Sequence, residues 1–128
     1  MATPQNLLRT GSDWLAGMMK AHASSPILYA RSSLSATVQA VVGRTEWSVE
    51  SSTGMVVSEL SRDFIVMAAD LVLPTIGPAV PQRGDKVTET VNGRSSVYEV
   101  MAPAGQSVWR WSDRFGKAYR IHTKKVPA

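Results

Sequence analysis

The chain has 128 residues, 14 lysines and arginines against 10 acids, a formal charge of +4 and no cysteine. That length fits one domain with a self-sufficient core, and the absence of cysteine excludes disulfides and thiolate metal sites. The charge is uneven: residues 1–64 are balanced at five basic and five acidic side chains, whereas residues 65–128 hold nine basic and five acidic.

Residues 4–22 read as an amphipathic helix. Leu7, Leu8, Gly11, Trp14, Leu15, Met18, Met19 and His22 recur at three- and four-residue intervals, which places them on one stripe. Thr3 before Pro4 supplies a cap and a first-turn proline, and Ser24-Ser25-Pro26 ends the segment. Gly11 and Gly17 each weaken such a helix by about 1 kcal/mol, so it needs a surface to pack on. The first twenty residues lack a charged stretch followed by an unbroken apolar run, so no signal peptide is expected. No apolar run is long enough for a membrane helix.

After Pro26 the period changes to two. Ile27–Arg31 is a predicted strand, and Ala36, Val38, Ala40 and Val42 mark a half-buried second one. From Arg44 to Ser61 neither period persists, which predicts a long loop or irregular hairpin. Phe64–Met67 reads as a buried strand, followed by a turn at Ala68–Leu71. Pro74, Pro78 and Pro81 predict a surface loop over 74–84, because closely spaced prolines cannot share a ladder. Asp85–Val91 and Ser95–Met101 flank Asn92-Gly93, the strongest short hairpin signal. Val108–Trp111 and Ala118–Val126 make a last predicted pair. The predicted architecture is a mostly β, α+β domain over residues 1–128. It is a small antiparallel β-barrel or sandwich over 27–126, with the helix packed outside it.

Nothing in the sequence marks a catalytic or metal site, and neither an enzyme nor a cofactor is expected. His22 and His122 stand in no metal spacing and beside no nucleophile motif, and the acids are scattered. Arg83-Gly84-Asp85 matches a cell-adhesion tripeptide by its letters, but glycine and aspartate there read better as a tight turn. Trp109 and Trp111 share one face of a strand and Arg110 takes the other, an arrangement suited to packing more than to stacking nucleic-acid bases. The basic residues Arg110, Arg114, Lys117, Arg120, Lys124 and Lys125, against the single acid Asp113, point to a polyanion or an acidic partner. Alternation predicts Arg120, His122 and Lys124 on an outward face, with Tyr119, Ile121 and Thr123 buried.

The order of elements over residues 61–126 carries a resemblance. A strand Asp63–Met67 and a proline loop lead to Arg83-Gly84-Asp85-Lys86-Val87. A hairpin ending in Val97-Tyr98-Glu99-Val100 follows, then a tryptophan strand and Tyr119-Arg120-Ile121-His122-Thr123. This resembles the small head–tail joining proteins of tailed phages, also called head-completion, stopper or connector proteins. The resemblance implies a structural virion protein of the phage neck, assembled in the host cytoplasm. It would form a homo-oligomeric ring that joins the portal or adaptor to the tail and helps retain packaged double-stranded DNA without sequence preference, with no membrane contact. The six basic residues above would then face the channel or a partner ring, and Trp14, Met18, Trp47, Met55 and Val56 are candidate contacts between subunits. The rival reading is a small nucleic-acid-binding β-barrel that uses its basic C-terminal strands.

Overall fold

The computed structural model describes residues 24–50 and 52–127. Among them the strands run in chain order as β1 (Ser25–Arg31), β2 (Leu34–Glu50), β3 (Val56–Met67), β4 (Val72–Leu73), β5 (Gly77–Pro78), β6 (Lys86–Val91), β7 (Arg94–Val100), β8 (Trp109–Trp111) and β9 (Ala118–Val126). A short 3-10 turn, Ala68–Asp70, leaves β3. The predicted helix over 4–22, with Trp14, Met18 and His22, lies outside the described residues.

Strand neighbours run β3, β2, β1, β6, β7, β9, and β9 returns to pair with β3. Six antiparallel strands therefore close into a barrel, the form that leaves no open sheet edge in its wall. Alternation drives the closure, because every second residue must find the same interior. Ile27 and Tyr29 of β1, Val38 and Ala40 of β2, and Phe64 and Val66 of β3 point inward and are buried. Val87 of β6, Tyr98 and Val100 of β7 and Ile121 of β9 complete the same core. The β6–β7 hairpin turns on Asn92 and Gly93 at φ 52° and 77°, the paired positive values that the dipeptide predicts.

One end of the barrel is closed by the chain that follows β3. Leu71, Leu73 and Ala79 fold back into the core, and β4 and β5 make a two-residue ladder on the way. The proline-rich stretch read as a surface loop is thus partly an internal plug, held by the Ala79 amide donating to the Leu71 carbonyl at 2.9 Å.

At the other end β2 and β3 outrun their neighbours. β1 accompanies β2 only as far as Ala40, and β9 accompanies β3 only from Arg62 onward. Among the described residues, the stretches 45–50 and 56–61 pair only with each other, from Thr45↔Ser61 to Glu50↔Val56, while residues 41–44 of β2 pair only with 62–65 of β3. Six residues of strand span roughly 20 Å, so a two-stranded ribbon projects from the barrel. Of the two readings of 44–61, a long loop or an irregular hairpin, the loop is corrected: the segment is a hairpin, and a regular one, with a turn at its tip. The reason for the misreading is physical: alternation of apolar and polar residues needs one buried face and one wet face. On the ribbon Val42, Leu60 and Val56 line one face and Val57 the other, all of them exposed.

Candidate functional site

Polar side chains buried in and against the barrel wall are the most concentrated chemistry among the described residues. Asp63 of β3 alternates with the inward-pointing Phe64 and so lies on the outer face, yet it is fully buried. Four side chains donate to its carboxylate: Thr45, Ser61 at 2.7 Å, Arg120 Nε at 2.8 Å and His122 Nδ1 at 2.9 Å. An ionised carboxylate only accepts, so Nδ1 carries the imidazole proton. Trp47 seals the cluster, donating its indole N–H to Ser61 at 3.2 Å and setting its ring edge-on to His122. Arg120 also reaches the Arg44 carbonyl at 3.0 Å. It crosses over Gly43, where an added Cβ would lie 2.9 Å from the guanidinium. Burial opposes ionisation of Asp63, but the bonds from His122, Thr45, Ser61 and Arg120 outweigh it and hold the carboxyl well below its ordinary value.

This group is an anchor and has no nucleophile poised for attack. Ser61 and Thr45 both spend their hydroxyl protons on the carboxylate, so neither is aimed at His122 as a base-activated nucleophile would be. Among the described residues no group of three or more histidines, acids or cysteines is placed to hold a metal ion.

Asp85 is a second buried carboxylate. It accepts from the Tyr29 hydroxyl, from Arg31 Nε at 3.1 Å and Nη2 at 2.9 Å, and from the Gln82 amide at 3.0 Å. Its own amide closes the turn onto the Gln82 carbonyl, with Gly84 at φ 95°, a conformation that favours glycine. The adhesion-like tripeptide is therefore a structural turn, as its residues predict. Burial, reinforced by the Asp85 carboxylate, pushes the Tyr29 hydroxyl far above its ordinary value.

Inside the barrel, below the ribbon, Arg62 bonds both oxygens of Glu89 at 2.8 and 2.9 Å. Its guanidinium lies 5.7 Å from the Phe64 ring and 5.4 Å from the Tyr98 ring. An ion pair over aromatics thus fills this end of the interior, as Leu71, Leu73 and Ala79 fill the other.

The predicted basic set does not form one surface. Arg110 and Arg114 are exposed at the β8–β9 end, Lys117 is half-buried there, and Lys124 and Lys125 are exposed at the far end of β9. Arg120 and His122 take the outer face with Lys124, as alternation predicts, but both are tied to Asp63 beneath Trp47 at the base of the ribbon. Tyr119, Ile121 and Thr123 are buried as predicted. Lys124 lies only loosely near Glu59, at 3.8 Å.

Of the predicted subunit contacts, Trp47 is engaged within the chain, whereas Met55 and Val56 at the ribbon tip are 66% and 70% exposed. Trp109 and Trp111 do share a face, and both meet the Tyr119 ring, Trp111 stacking on it at 5.0 Å. The Ser107 hydroxyl donates to the Trp109 carbonyl at 2.7 Å and accepts its amide at 3.4 Å, which blunts the free edge of β8. Sequence reasoning passed over Asp63, although an acid inside an apolar strand is a usable signal, and read Asp85 only as the close of a glycine turn, without its bonds to Tyr29 and Arg31.

A filled six-stranded barrel stapled by buried carboxylates, with a ribbon projecting from it, defines a structural assembly module. The family model of the phage head–tail joining proteins matches residues 5–128, and the chain belongs to that family. It is accordingly a structural component of the phage virion at the head–tail junction, where the family meets head and tail proteins. The match extends beyond the resemblance over 61–126 to include the ribbon and most of the N-terminal segment. No curated protein matches the chain.

Proposed function

We propose that copies of this chain, each folding as one unit over residues 1–128, assemble as a ring in the phage neck. The ring joins the portal or adaptor to the tail and helps retain packaged double-stranded DNA, and it forms in the host cytoplasm. The observation that carries this reading is the filled barrel. With Leu71, Leu73 and Ala79 closing one end and the Arg62–Glu89 pair the other, a conduit has to run between copies. A projecting ribbon on one part of the subunit suits head-to-tail contacts, which close into rings. The rival reading, a small DNA binder using its C-terminal strands, is weakened because Arg120 is committed to Asp63.

Light scattering and electron microscopy of the purified chain, alone and with portal or adaptor, should give a closed ring. A species that stays monomeric in both settings overturns the reading. For DNA retention, the exposed pair Arg110→Glu with Arg114→Glu should lower the count of DNA-filled, tailed particles. Salt-screened contacts of this kind carry no sequence preference. Equal counts would remove these two arginines from any channel or partner surface.

A further inference from the structure

The plug that closes the Met67 end of the barrel is apolar on both of its sides. Between Asp70 and Arg83 the sequence carries no charged residue. Leu71, Leu73 and Ala79 are buried in the core, while Val72, Ile76, Pro78 and Val80 beside them are exposed. Val72 pairs with Pro78 across the β4–β5 ladder, so these two share the outer side of the plug. Val72, Ile76 and Val80 stand 46%, 46% and 48% exposed, and apolar side chains grouped in this way mark an interaction surface. Asp85, Asp113 and Glu99 at this end are engaged within the chain. Asp85 accepts from Tyr29 and Arg31, Asp113 from the amides of Phe115, Lys117 and Ala118, and Glu99 pairs with Lys86 at 2.6 Å. Asp70 is half-buried, whereas Arg83 and Arg114 are exposed. Arg83 gives one N–H to the Ala102 carbonyl at 3.2 Å. The Ala68 amide donates to the Lys117 carbonyl at 2.9 Å, which sets the turn carrying Arg114 beside the start of the plug. The rim of this apolar surface is basic.

The ribbon at the opposite end has the complementary make-up. Residues 45–61 hold Glu46, Glu50 and Glu59 and no lysine or arginine. All three glutamates are exposed, and Lys124 lies loosely beside Glu59 at 3.8 Å. Met55, Val56 and Leu60 stand 66%, 70% and 59% exposed among them. We propose that the ribbon of one copy seats on the plug surface of the next, a contact that rests on the ring reading above and specifies it. Charge selects this pairing. Plug against plug would set Arg83 and Arg114 against their own copies, and ribbon against ribbon would do the same with the glutamates. Ribbon against plug brings opposite signs together around apolar centres. Because Leu71, Leu73 and Ala79 fix the plug in the core, its outer surface is formed before any contact. The two surfaces lie at opposite ends of one barrel, so the contact is head-to-tail. Copies linked in this way close into a ring when the rotation between them allows.

With no cysteine in the chain, disulfides can report the contact in the full-length protein. Met55→Cys, Val56→Cys or Leu60→Cys, each combined with Ile76→Cys, places two thiols at opposite ends of one barrel, too far apart to pair within a chain. In the assembled ring, mild oxidation should link copies into ladders of several chains for at least one of the three, read on a non-reducing denaturing gel. Each single-cysteine variant should remain as single chains, and Val56→Cys with Leu28→Cys, on the outer wall of β1, should give no ladder. A ring formed with no ladder in any combination, or an equal ladder with Leu28→Cys, would overturn the contact and leave the ring reading standing. Dimers from a single-cysteine variant would show that like surfaces meet, and would overturn it too. Wild-type protein that stays monomeric with and without portal or adaptor removes the ring reading and the contact together. As a second measurement, Ile76→Lys should keep several-fold more of the wild-type ring yield than Ile76→Glu, because the ribbon it meets is acidic, and added salt should narrow the gap. Equal loss in both variants would mean that charge does not select the ribbon, and would overturn the proposal.

Discussion

β2 and β3 belong to two regions at once, and their halves behave differently. Within the barrel, Val38, Ala40, Phe64 and Val66 are each at most 5% exposed; four residues before Phe64 on the same face, Leu60 is 59% exposed. The backbone ladder is continuous through both halves, so hydrogen bonding does not distinguish them. What differs is whether a second wall stands opposite. The barrel half gains stability from burial and from the buried carboxylate anchored at its rim. Beyond Thr45, Trp47 and Ser61, which reach back to the Asp63 cluster, the ribbon half keeps its shape through strand pairing and leaves Leu60, Val56 and Val57 exposed. Strand propensity thus forms both halves, whereas burial stabilises only one.

The sharpest way to break the contrast is at the rim. Asp63→Ala leaves Arg120, His122, Thr45 and Ser61 without their common acceptor and should cost about 3–5 kcal/mol, read by thermal or denaturant melting. A loss no larger than that of a surface substitution would mean the cluster is incidental. The same carboxyl sets an acid limit. Its folded value is depressed, so its contribution is fully present above the ordinary aspartate value of 3.8. As pH falls below that value the unfolded chain takes up the proton first, and stability declines. Asp63→Asn should flatten that acid slope in melting curves, and parallel slopes for both proteins would show that another acid governs it.

Smaller effects belong to the ribbon. Gly54 at its tip holds φ 84° with open space around it, so Gly54→Ala should cost about 1 kcal/mol through backbone strain alone. Amide exchange should quicken across 45–50 and 56–60 and stay unchanged at 62–67. Uniform quickening would mean that ribbon and barrel open as one unit. The least effect on melting should come from Met55→Ser with Val57→Ser, within about 0.5 kcal/mol. The same variant should reduce ring yield by light scattering. Normal ring yield would exclude the ribbon tip as a contact between copies.

The sequence alone determined the strands whose two faces meet different surroundings. Ile27–Arg31, the hairpin around Asn92-Gly93, and Ala118–Val126 with Tyr119, Ile121 and Thr123 buried were legible because alternation and turn chemistry are local. The resemblance over 61–126 carried the family. Tertiary structure decided what depends on partners distant in the chain. Asp63 meets Arg120 and His122 from 57 and 59 positions away, so no local spacing could announce that two expected partner-facing side chains are spent on a buried carboxylate. The 44–61 segment likewise became a ladder only because β3 returns along β2. A ribbon whose one face mixes Val42 and Leu60 with Arg44, Glu46 and Ser48 carries no amphipathic period, and only its pairing, set by the closed barrel at its base, makes it a strand.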